Sequence, residues 1–226
     1  MTIRLFELCG TDPKRVFSPF CWRIRMALAH KGLAFESVPW RFTETAALAF
    51  AKYDKVPVLV DGDRTVVESF DIAKHLDAAY PASPSLMRGN PDAYGFVGAW
   101  TDTVLHPGVA GLVVTDIPPL LAEADRAYFV QSREARYRKP LAEVTAGREE
   151  RLAGFRAALQ PLRHALRGRA FLGGAGPDYA DYTGFGGFMW ARTVSRFELL
   201  AQDDAVHGWR ERMLDLFGGM ARQTPS

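Results

Sequence analysis

Strand-like and helical sequence patterns alternate over the first 80 residues of the chain, and strand-like patterns then stop. Alternating apolar residues predict a strand at 2–8, and apolar residues at helical spacing predict a helix at 22–30. A second strand at 35–38 completes a βαβ unit of ordinary length. The elements predicted next are a short helix within 45–52, a hairpin with strands 56–60 and 65–67 around Asp61-Gly62, and a helix from 69 to about 80.

Helical patterns alone follow residue 91. Pro161 should kink or divide a helix predicted at 148–166, and Asp178 and Asp181 mark the start of another helix. Apolar residues recur at helical spacing at 94–105, 148–166 and 203–220.

Two prolines separate the mixed part of the chain from the helical part. Pro81 and Pro84 are typical of a linker, which we place at 81–90. We therefore predict a β-α-β-α-β-β-α domain at 1–80 and an all-helical domain at 91–226.

Composition excludes several classes of protein. The 28 Lys and Arg residues nearly balance the 26 Asp and Glu residues, so a nucleic-acid partner is not expected. No stretch is long and apolar enough to cross a membrane, and the first residues lack the pattern of a signal peptide. The 2 cysteines favour a reducing, cytoplasmic location, and the 5 histidines are too scattered for metal binding.

Ser18 lies where the first predicted strand gives way to the first predicted helix. The N-terminus of a helix carries free N–H groups and a partial positive charge, which suit an anion such as a thiolate. Pro19 is compatible with the first helical turn, where no N–H is needed. Ser18 could be such an anion site or simply the N-cap of the helix.

Two later residue pairs are also open to either a ligand-binding or a purely structural interpretation. Pro57 cannot donate a ladder hydrogen bond, and it could turn the backbone of Val56 outward toward a peptide-like ligand or be an ordinary edge-strand proline. A cis bond would favour the first reading. Glu68 and Ser69 at a helix start could hold the ammonium and carboxylate of a ligand, or could only cap the helix.

Order and spacing make these weak signals specific. The motifs are S-P-F-C at 18–21, V-P-V-L-V-D at 56–61 and E-S at 68–69. Together they resemble the thioredoxin-like, glutathione-binding domain of the glutathione S-transferase superfamily. The helical remainder, with P-D-Y-A-D at 177–181, resembles the C-terminal domain of that superfamily. The stretch S-P-F-C-W-R-I-R-M-A-L-A-H-K-G-L further resembles the serine-type bacterial glutathione-dependent β-etherases and their fungal relatives.

The resemblance implies a role for each motif. Ser18 would donate a hydrogen bond to the glutathione sulfur and lower the pKa of the thiol. Val56, before Pro57, would pair with the cysteinyl backbone, and Glu68 and Ser69 would hold the γ-glutamyl end. The glycyl carboxylate would bind Arg41 or Lys55, although Arg41 could equally be a solvated surface charge.

A second, hydrophobic substrate is expected between the two domains. The residues expected to line that cleft are Phe17, Phe20, Tyr94, Val97, Trp100, Thr101 and His106. Aromatic side chains suit a planar aromatic substrate, but the same residues could be ordinary core. His106-Pro107 could instead mark the end of a helix.

Cys21 lies three residues after Ser18, the spacing of a thioredoxin-like redox motif whose first cysteine has become serine. The thiol-transferring members of the superfamily carry cysteine at the Ser18 position, so this chain departs from them. We expect Cys21 to be buried and inert.

Three functions follow as hypotheses. The first is a metal-independent transferase that adds glutathione to a hydrophobic electrophile, expected to be aromatic, with aryl β-ether cleavage as one version; the resemblance implies that it works as a homodimer. The second is a non-catalytic ligand binder or interaction module, with 117–147 as a partner surface. The third is a glutathione-dependent isomerase or lyase of small organic acids, which would need cations such as Arg41 and Arg192 in the cleft.

Overall fold

A four-stranded mixed sheet forms the first part of the molecule. The computed structural model describes residues 2–226, and its strands are β1 (Ile3–Leu8), β2 (Phe35–Trp40), β3 (Val58–Asp61) and β4 (Arg64–Val67). Their order across the sheet is β2-β1-β3-β4, with β2 parallel to β1 and the remaining pairs antiparallel. This arrangement confirms the predicted fold class of the N-terminal part.

Two α-helices pack on this sheet. Helix α1 (Pro19–His30) begins with Pro19, and Ser18 is its N-cap, as predicted. Helix α2 (Ser69–Ala79) follows β4 directly and buries Ile72, Ala73 and Leu76 against the sheet. The short helix predicted within 45–52 is a 3₁₀ helix, Thr45–Ala51.

Prolines shift two strand boundaries from their predicted places. Strand β2 runs through Pro39 to Trp40 instead of ending at residue 38, because β2 is an edge strand and edges tolerate proline. Strand β3 begins at Val58 rather than at Val56, since Pro57 has no N–H to donate to the ladder.

The second part of the molecule is helical. Its α-helices are α3 (Gly95–Trp100), α4 (His106–Val113), α5 (Glu123–Tyr137), α6 (Leu141–Val144), α7 (Arg148–Ala158), α8 (Gln160–Ala165), α9 (Tyr179–Val194) and α10 (Ala205–Gly219). Short 3₁₀ segments cover Pro91–Tyr94, Val114–Asp116 and Pro118–Leu120. Pro161 lies in α8 just after its break from α7, so the predicted division of that helix is confirmed. None of the helices within 2–226 has the length and hydropathy needed to cross a bilayer.

Helices α3 and α4 form one continuous rod through a π-helical turn, Thr101–Leu105. The alternative that His106-Pro107 ends a helix is wrong, because α4 begins at His106 and continues past Pro107. Proline lacks the N–H that an α-helical ladder requires, and π-turns are one of the usual ways a helix absorbs such an interruption.

The two parts meet along α1 and α9. A Cβ atom on Gly186 of α9 would lie 2.3 Å from the backbone oxygen of Pro19, so only glycine allows this approach. The contact places the N-terminus of α1, and with it Ser18, at the boundary between the parts.

Asp181 joins the start of α9 to its surroundings. Its carboxylate, which is fully buried, accepts hydrogen bonds from the backbone N–H groups of Leu172, Gly173 and Asp178 and from Nε1 of Trp209. Asp178 caps the helix through the N–H of Ala180, as predicted. The two aspartates thus form a capping box, and three further groups donate to Asp181.

The segment proposed as a partner surface packs on the chain's own N-terminal part. The backbone N–H and hydroxyl of Thr11 both donate to the carbonyl of Leu120. Asp125 in α5 accepts hydrogen bonds from Thr43. Residues 117–137 therefore connect the two parts within one chain.

A buried carboxylate in β1 gives a pH prediction. Glu7 is fully buried beside Arg25 Nη1 (2.9 Å) and Ser37 Oγ (2.6 Å), and burial raises its pKa from 4.5 to about 7. The folded state then binds a proton that the unfolded state releases between pH 4.5 and about 7, so stability falls as the pH rises through this window. We expect the free energy of unfolding of the native protein to fall by up to about 3 kcal/mol across this window, at about 1.4 kcal/mol per pKa unit. Glu7→Gln should not show this fall. Urea unfolding at pH 5 and pH 8 checks this, and an equal pH slope in both proteins would contradict it.

Candidate functional site

The four predicted glutathione-binding segments lie at one end of the sheet, where β1, β2 and β4 finish and β3 begins. Leu8 and Trp40, the last residues of β1 and β2, pair with each other. Arg41 therefore leaves β2 at the same end of the sheet at which the chain leaves β1 toward Ser18. Phe6 pairs with Val58, the first residue of β3, in the antiparallel β1–β3 ladder, so Val56 lies at the same end of the sheet. Val58 also pairs with Val67, so Pro57, just before β3, and Glu68, just after β4, lie at this same end of the sheet.

Ser18 stands at the N-terminus of α1 and is 5% exposed. Its Oγ accepts a hydrogen bond from the backbone N–H of Cys21 at 3.3 Å. A serine hydroxyl that accepts in this way keeps its own O–H proton for another acceptor. The side chain therefore caps the helix and can still donate to an anion, so the two readings of Ser18 are compatible.

The Val56-Pro57 peptide bond is cis. Val56 lies outside the paired residues of β3 and is half-buried, whereas Pro57 is buried. The backbone of Val56 thus lies just before the start of β3, outside its ladder, where it can pair with an extended peptide.

Glu68 adopts a left-handed backbone conformation, with φ 64°. Such a φ is uncommon for a residue other than glycine and recurs at functional sites. Glu68, not Ser69, is the N-cap position of α2, and Ser69 is the first helical residue. Two tyrosines support this turn: Tyr53 donates to the Glu68 carboxylate, and Tyr179 donates to the Ser69 carbonyl at 3.0 Å.

The two candidate cations for a glycyl carboxylate differ in their surroundings. Arg41 donates from Nη1 to Glu44 at 2.9 Å, and this hydrogen bond raises its pKa. A guanidinium has five N–H donors, so Arg41 has capacity for a second carboxylate. Lys55 is exposed beside Val56.

Both cysteines are buried and free of disulfide bonds. Burial raises the pKa of Cys21 to about 12 and the pKa of Cys9 to about 11. Thiols with these values are not nucleophiles at neutral pH. The expectation that Cys21 is buried and inert agrees with this environment.

An aromatic group lies next to Ser18, at the boundary between the two parts. The ring of Phe20 meets the imidazole of His106 edge-on at 5.3 Å, and His106 meets Trp190 of α9 edge-on at 6.2 Å. Burial, followed by the nearby charge of Arg23, lowers the pKa of His106 to about 3, so its ring is neutral at physiological pH. Phe20 and Trp190 are half-buried and present aromatic surface.

A polar cluster lies beneath these rings. Arg23 of α1 donates to Asp102 at 2.6 Å, and the same carboxylate oxygen is 3.3 Å from Nδ1 of His106. Within residues 2–226, the buried atoms Arg23 Nε, Thr101 Oγ1 and His106 Nε2 have no hydrogen-bond partner. The cluster joins the two parts of the molecule close to Ser18.

The other residues predicted to contact a second substrate are placed differently. Phe17 is 2% exposed and Thr101 is fully buried, so both contribute mainly to packing in this structure. Tyr94 donates to Asp178 at 2.9 Å and lies against Tyr179. Val97 and Trp100 are half-buried on α3.

Sequence reasoning missed Trp190, although a signal was present. Gly186 and Gly187 in a predicted helix mark a close approach, and Trp190 lies three to four residues later on the same helical face. Arg23 and Asp102 carry no comparable signal, because ordinary surface charges have the same helical spacing.

Two surface cavities lie away from this group. One of about 470 Å³ is lined by Lys31, Lys74 and Asp77, and another of about 400 Å³ is lined by Arg192, Arg210 and Arg222. Neither contains Ser18 or the aromatic group. In the described part of the chain, no three His, Cys, Asp or Glu side chains are placed to hold a metal ion.

Two family models match the chain. The glutathione S-transferase N-terminal domain matches residues 14–84, and the glutathione S-transferase C-terminal domain matches residues 94–217, more than half of the chain. Glutathione S-transferase 3 of Zea mays is 29% identical over 160 residues, which cover 66% of this chain and 72% of that protein.

Solved structures share the fold. A glutathione S-transferase of Ceriporiopsis subvermispora in complex with glutathione superposes with a TM-score of 0.80 at 20% identity, covering 97% of this chain and 98% of the other. Glutathione transferase GSTFuA3 of Phanerochaete chrysosporium superposes with a TM-score of 0.77 at 22% identity, covering 99% of this chain and 94% of the other. The two matched domains and the two-part fold together show that this chain belongs to the glutathione S-transferase family.

Proposed function

We propose that this glutathione transferase activates glutathione as a thiolate and directs it to an electrophilic carbon of an aromatic compound. The observation that carries this proposal is Ser18, whose oxygen is fixed by the N–H of Cys21 and whose hydroxyl proton remains available to a sulfur anion. The N-terminus of α1 adds a favourable field, so the thiolate needs no general base.

The segments at the same end of the sheet would bind the rest of glutathione. The Val56 backbone would pair with its cysteinyl residue, and Glu68 and Ser69 would bind the γ-glutamyl end. Arg41, with Lys55 beside Val56, would bind the glycyl carboxylate.

The aromatic group of Phe20, His106 and Trp190 supports an aromatic electrophile. Edge-to-face rings offer a surface on which a planar substrate can stack, and the neutral imidazole adds no charge. In the β-ether version, the thiolate forms a C–S bond with the carbon that bears an aryloxy group. The C–O bond breaks, and its electron pair leaves on a phenolate that water then protonates.

The two cations named for the alternative on small organic acids have other roles or partners in this proposal. Arg192 donates to the backbone carbonyls of Thr224 and Arg222, beside the cavity formed by α9 and α10. Arg41 is paired with Glu44, and its remaining donors are assigned here to the glycyl carboxylate of glutathione. A homodimer and a cytoplasmic location remain part of the proposal, and Phe96, 77% exposed on α3, offers apolar surface for a second copy.

A substrate panel tests the aromatic part of the proposal. The purified protein and glutathione are given, separately, an aryl β-ether dimer, 1-chloro-2,4-dinitrobenzene and a maleyl-type diacid. We expect glutathione thioethers from the two aromatic compounds and, from the ether, one phenol released per thioether, as measured by mass spectrometry. Isomerisation of the diacid without thioether formation from either aromatic compound would contradict the proposal.

A further inference from the structure

The loop 41–44, which carries Arg41, is closed on itself. The Glu44 carboxylate accepts hydrogen bonds from the backbone N–H of Arg41 at 3.0 Å and from its guanidinium at 2.9 Å. The N–H of Glu44 donates back to the carbonyl of Arg41 at 3.0 Å. These bonds set the internal shape of the loop, and Nε1 of Trp40, the last residue of β2, donates to the carbonyl of Glu44 at 2.8 Å and ties one end of the loop to the sheet.

A helix of the second domain holds the middle of the loop. Asp125 lies in the first turn of α5 and is 3% exposed. Its Oδ1 accepts hydrogen bonds from both the backbone N–H and the hydroxyl of Thr43, each at 2.9 Å. The two residues are 82 positions apart in the chain, so the contact joins the helical domain to the middle of the loop.

Aromatic packing reinforces the same contact. The ring of Phe42 lies 5.7 Å from Phe129 and 5.9 Å from Tyr128, both on α5. The guanidinium of Arg133, one turn further along α5, lies over the rings of Phe42 and Phe129 at 5.5 and 4.5 Å. Helix α5 thus holds two consecutive loop residues, one by hydrogen bonds and one by its ring.

We propose that Asp125 is a positioning residue for glutathione, which holds loop 41–44 so that Arg41 faces the glycyl carboxylate. The inference rests on the proposed function, since it assumes that glutathione is the ligand. A buried carboxylate is unfavourable unless donors surround it, and the two donors given by Thr43 both belong to the loop. Without Asp125, the loop loses its hydrogen bonds to α5 and keeps only the bond from Trp40 and the aromatic contacts of Phe42. Arg41 is then held less firmly in place.

This role predicts an effect that depends on one group of the ligand. Only the interaction of the glycyl carboxylate with Arg41 should weaken, while thiolate formation at Ser18 continues. The probe is therefore the glycinamide analogue of glutathione, whose terminal carboxylate is replaced by a neutral carboxamide. A purely structural role for Asp125 would weaken binding of both ligands equally.

The experiment measures binding by isothermal titration calorimetry and turnover with 1-chloro-2,4-dinitrobenzene. For Asp125→Ala we expect glutathione affinity to fall about tenfold, affinity for the glycinamide analogue to change less than about twofold, and KM rather than kcat to change. Asp125→Asn keeps one acceptor oxygen and should restore part of the affinity. Glu134→Ala is the matched control, because Glu134 is a carboxylate on the same helix that accepts from Leu141, within the helical domain.

Thr43→Val keeps the test informative if Asp125→Ala does not fold. It removes one of the two hydrogen bonds from the exposed side of the contact, and we expect about threefold weaker glutathione binding. Unchanged glutathione affinity in the Asp125 and Thr43 variants, or equal losses for both ligands, would overturn the inference alone. A native protein that forms the thiolate but binds both ligands equally would also overturn it and leave the proposed function standing. A native protein that binds no glutathione would overturn both.

Discussion

Replacing Ser18 with alanine should lower kcat/KM for glutathione conjugation by about 100- to 1000-fold, the usual effect of removing one donor to a catalytic anion. Glutathione should still bind, because in the proposed function its backbone and carboxylates contact the segments around Arg41, Val56 and Glu68. The variant also loses the N-cap bond to Cys21, which should lower the free energy of unfolding by about 1 kcal/mol. Steady-state kinetics and urea unfolding measure the two effects separately.

Two further substitutions at Ser18 separate capping from catalysis. Ser18→Thr keeps both the cap and the hydroxyl, so it should retain most of the activity. Ser18→Asp keeps the cap but places a negative charge where the thiolate would lie, so it should be stable and inactive. Turnover of Ser18→Ala within about twofold of the native enzyme would show that Ser18 does not activate glutathione by hydrogen-bond donation.

Replacing Asp181 with alanine should lower the free energy of unfolding by about 3–5 kcal/mol, because four buried donors lose their acceptor. Three of these donors are backbone N–H groups at 2.7 to 3.1 Å, and the fourth is the indole of Trp209 at 2.8 Å. The loss should also loosen α9, the helix on which α1 packs. Equilibrium urea unfolding followed by circular dichroism measures it.

Asp204→Ala is the control for that measurement. Asp204 caps α10 through the N–H of Val206 and pairs with Arg163, but it lies nearer the surface. We expect a loss of about 1–2 kcal/mol, typical of an N-cap. Equal losses in the two variants would show that the buried donors around Asp181 add nothing beyond capping.

Local signals explain why the first domain could be predicted so far. Alternation marks β1, Asp61-Gly62 marks the hairpin turn, and Ser18-Pro19 marks the start of α1. Each of these features depends on residues within a few positions of one another. The order and direction of the strands then place the segments attached to their ends together at one end of the sheet.

Contacts between distant residues explain why the rest could not be predicted. The π-turn before Pro107 continues a helix that the sequence alone suggests could end there. The contact of Asp125 with Thr43 spans 82 positions, and an acidic residue in a first helical turn looks the same whether or not it has such a partner.

The second-substrate surface illustrates the same limit. Aromatic residues near Ser18 were easy to name, but composition could not separate core from cleft. Phe17 is buried, whereas Trp190, which comes from a different helix, meets His106. Which aromatic residues share a surface depends on how α1, α4 and α9 pack, and glycines in α9 decide that packing.

The most direct test of the central claim is the pKa of the thiol of bound glutathione. Ultraviolet absorbance of the thiolate is recorded from pH 5 to pH 10 with saturating glutathione, for the native protein and for Ser18→Ala. We expect the pKa in the native complex to lie at least about one unit below the value near 8.5 of a free thiol, and to rise by about one unit or more in the variant. Equal pKa values in the two complexes, with glutathione bound in both, would contradict activation by Ser18.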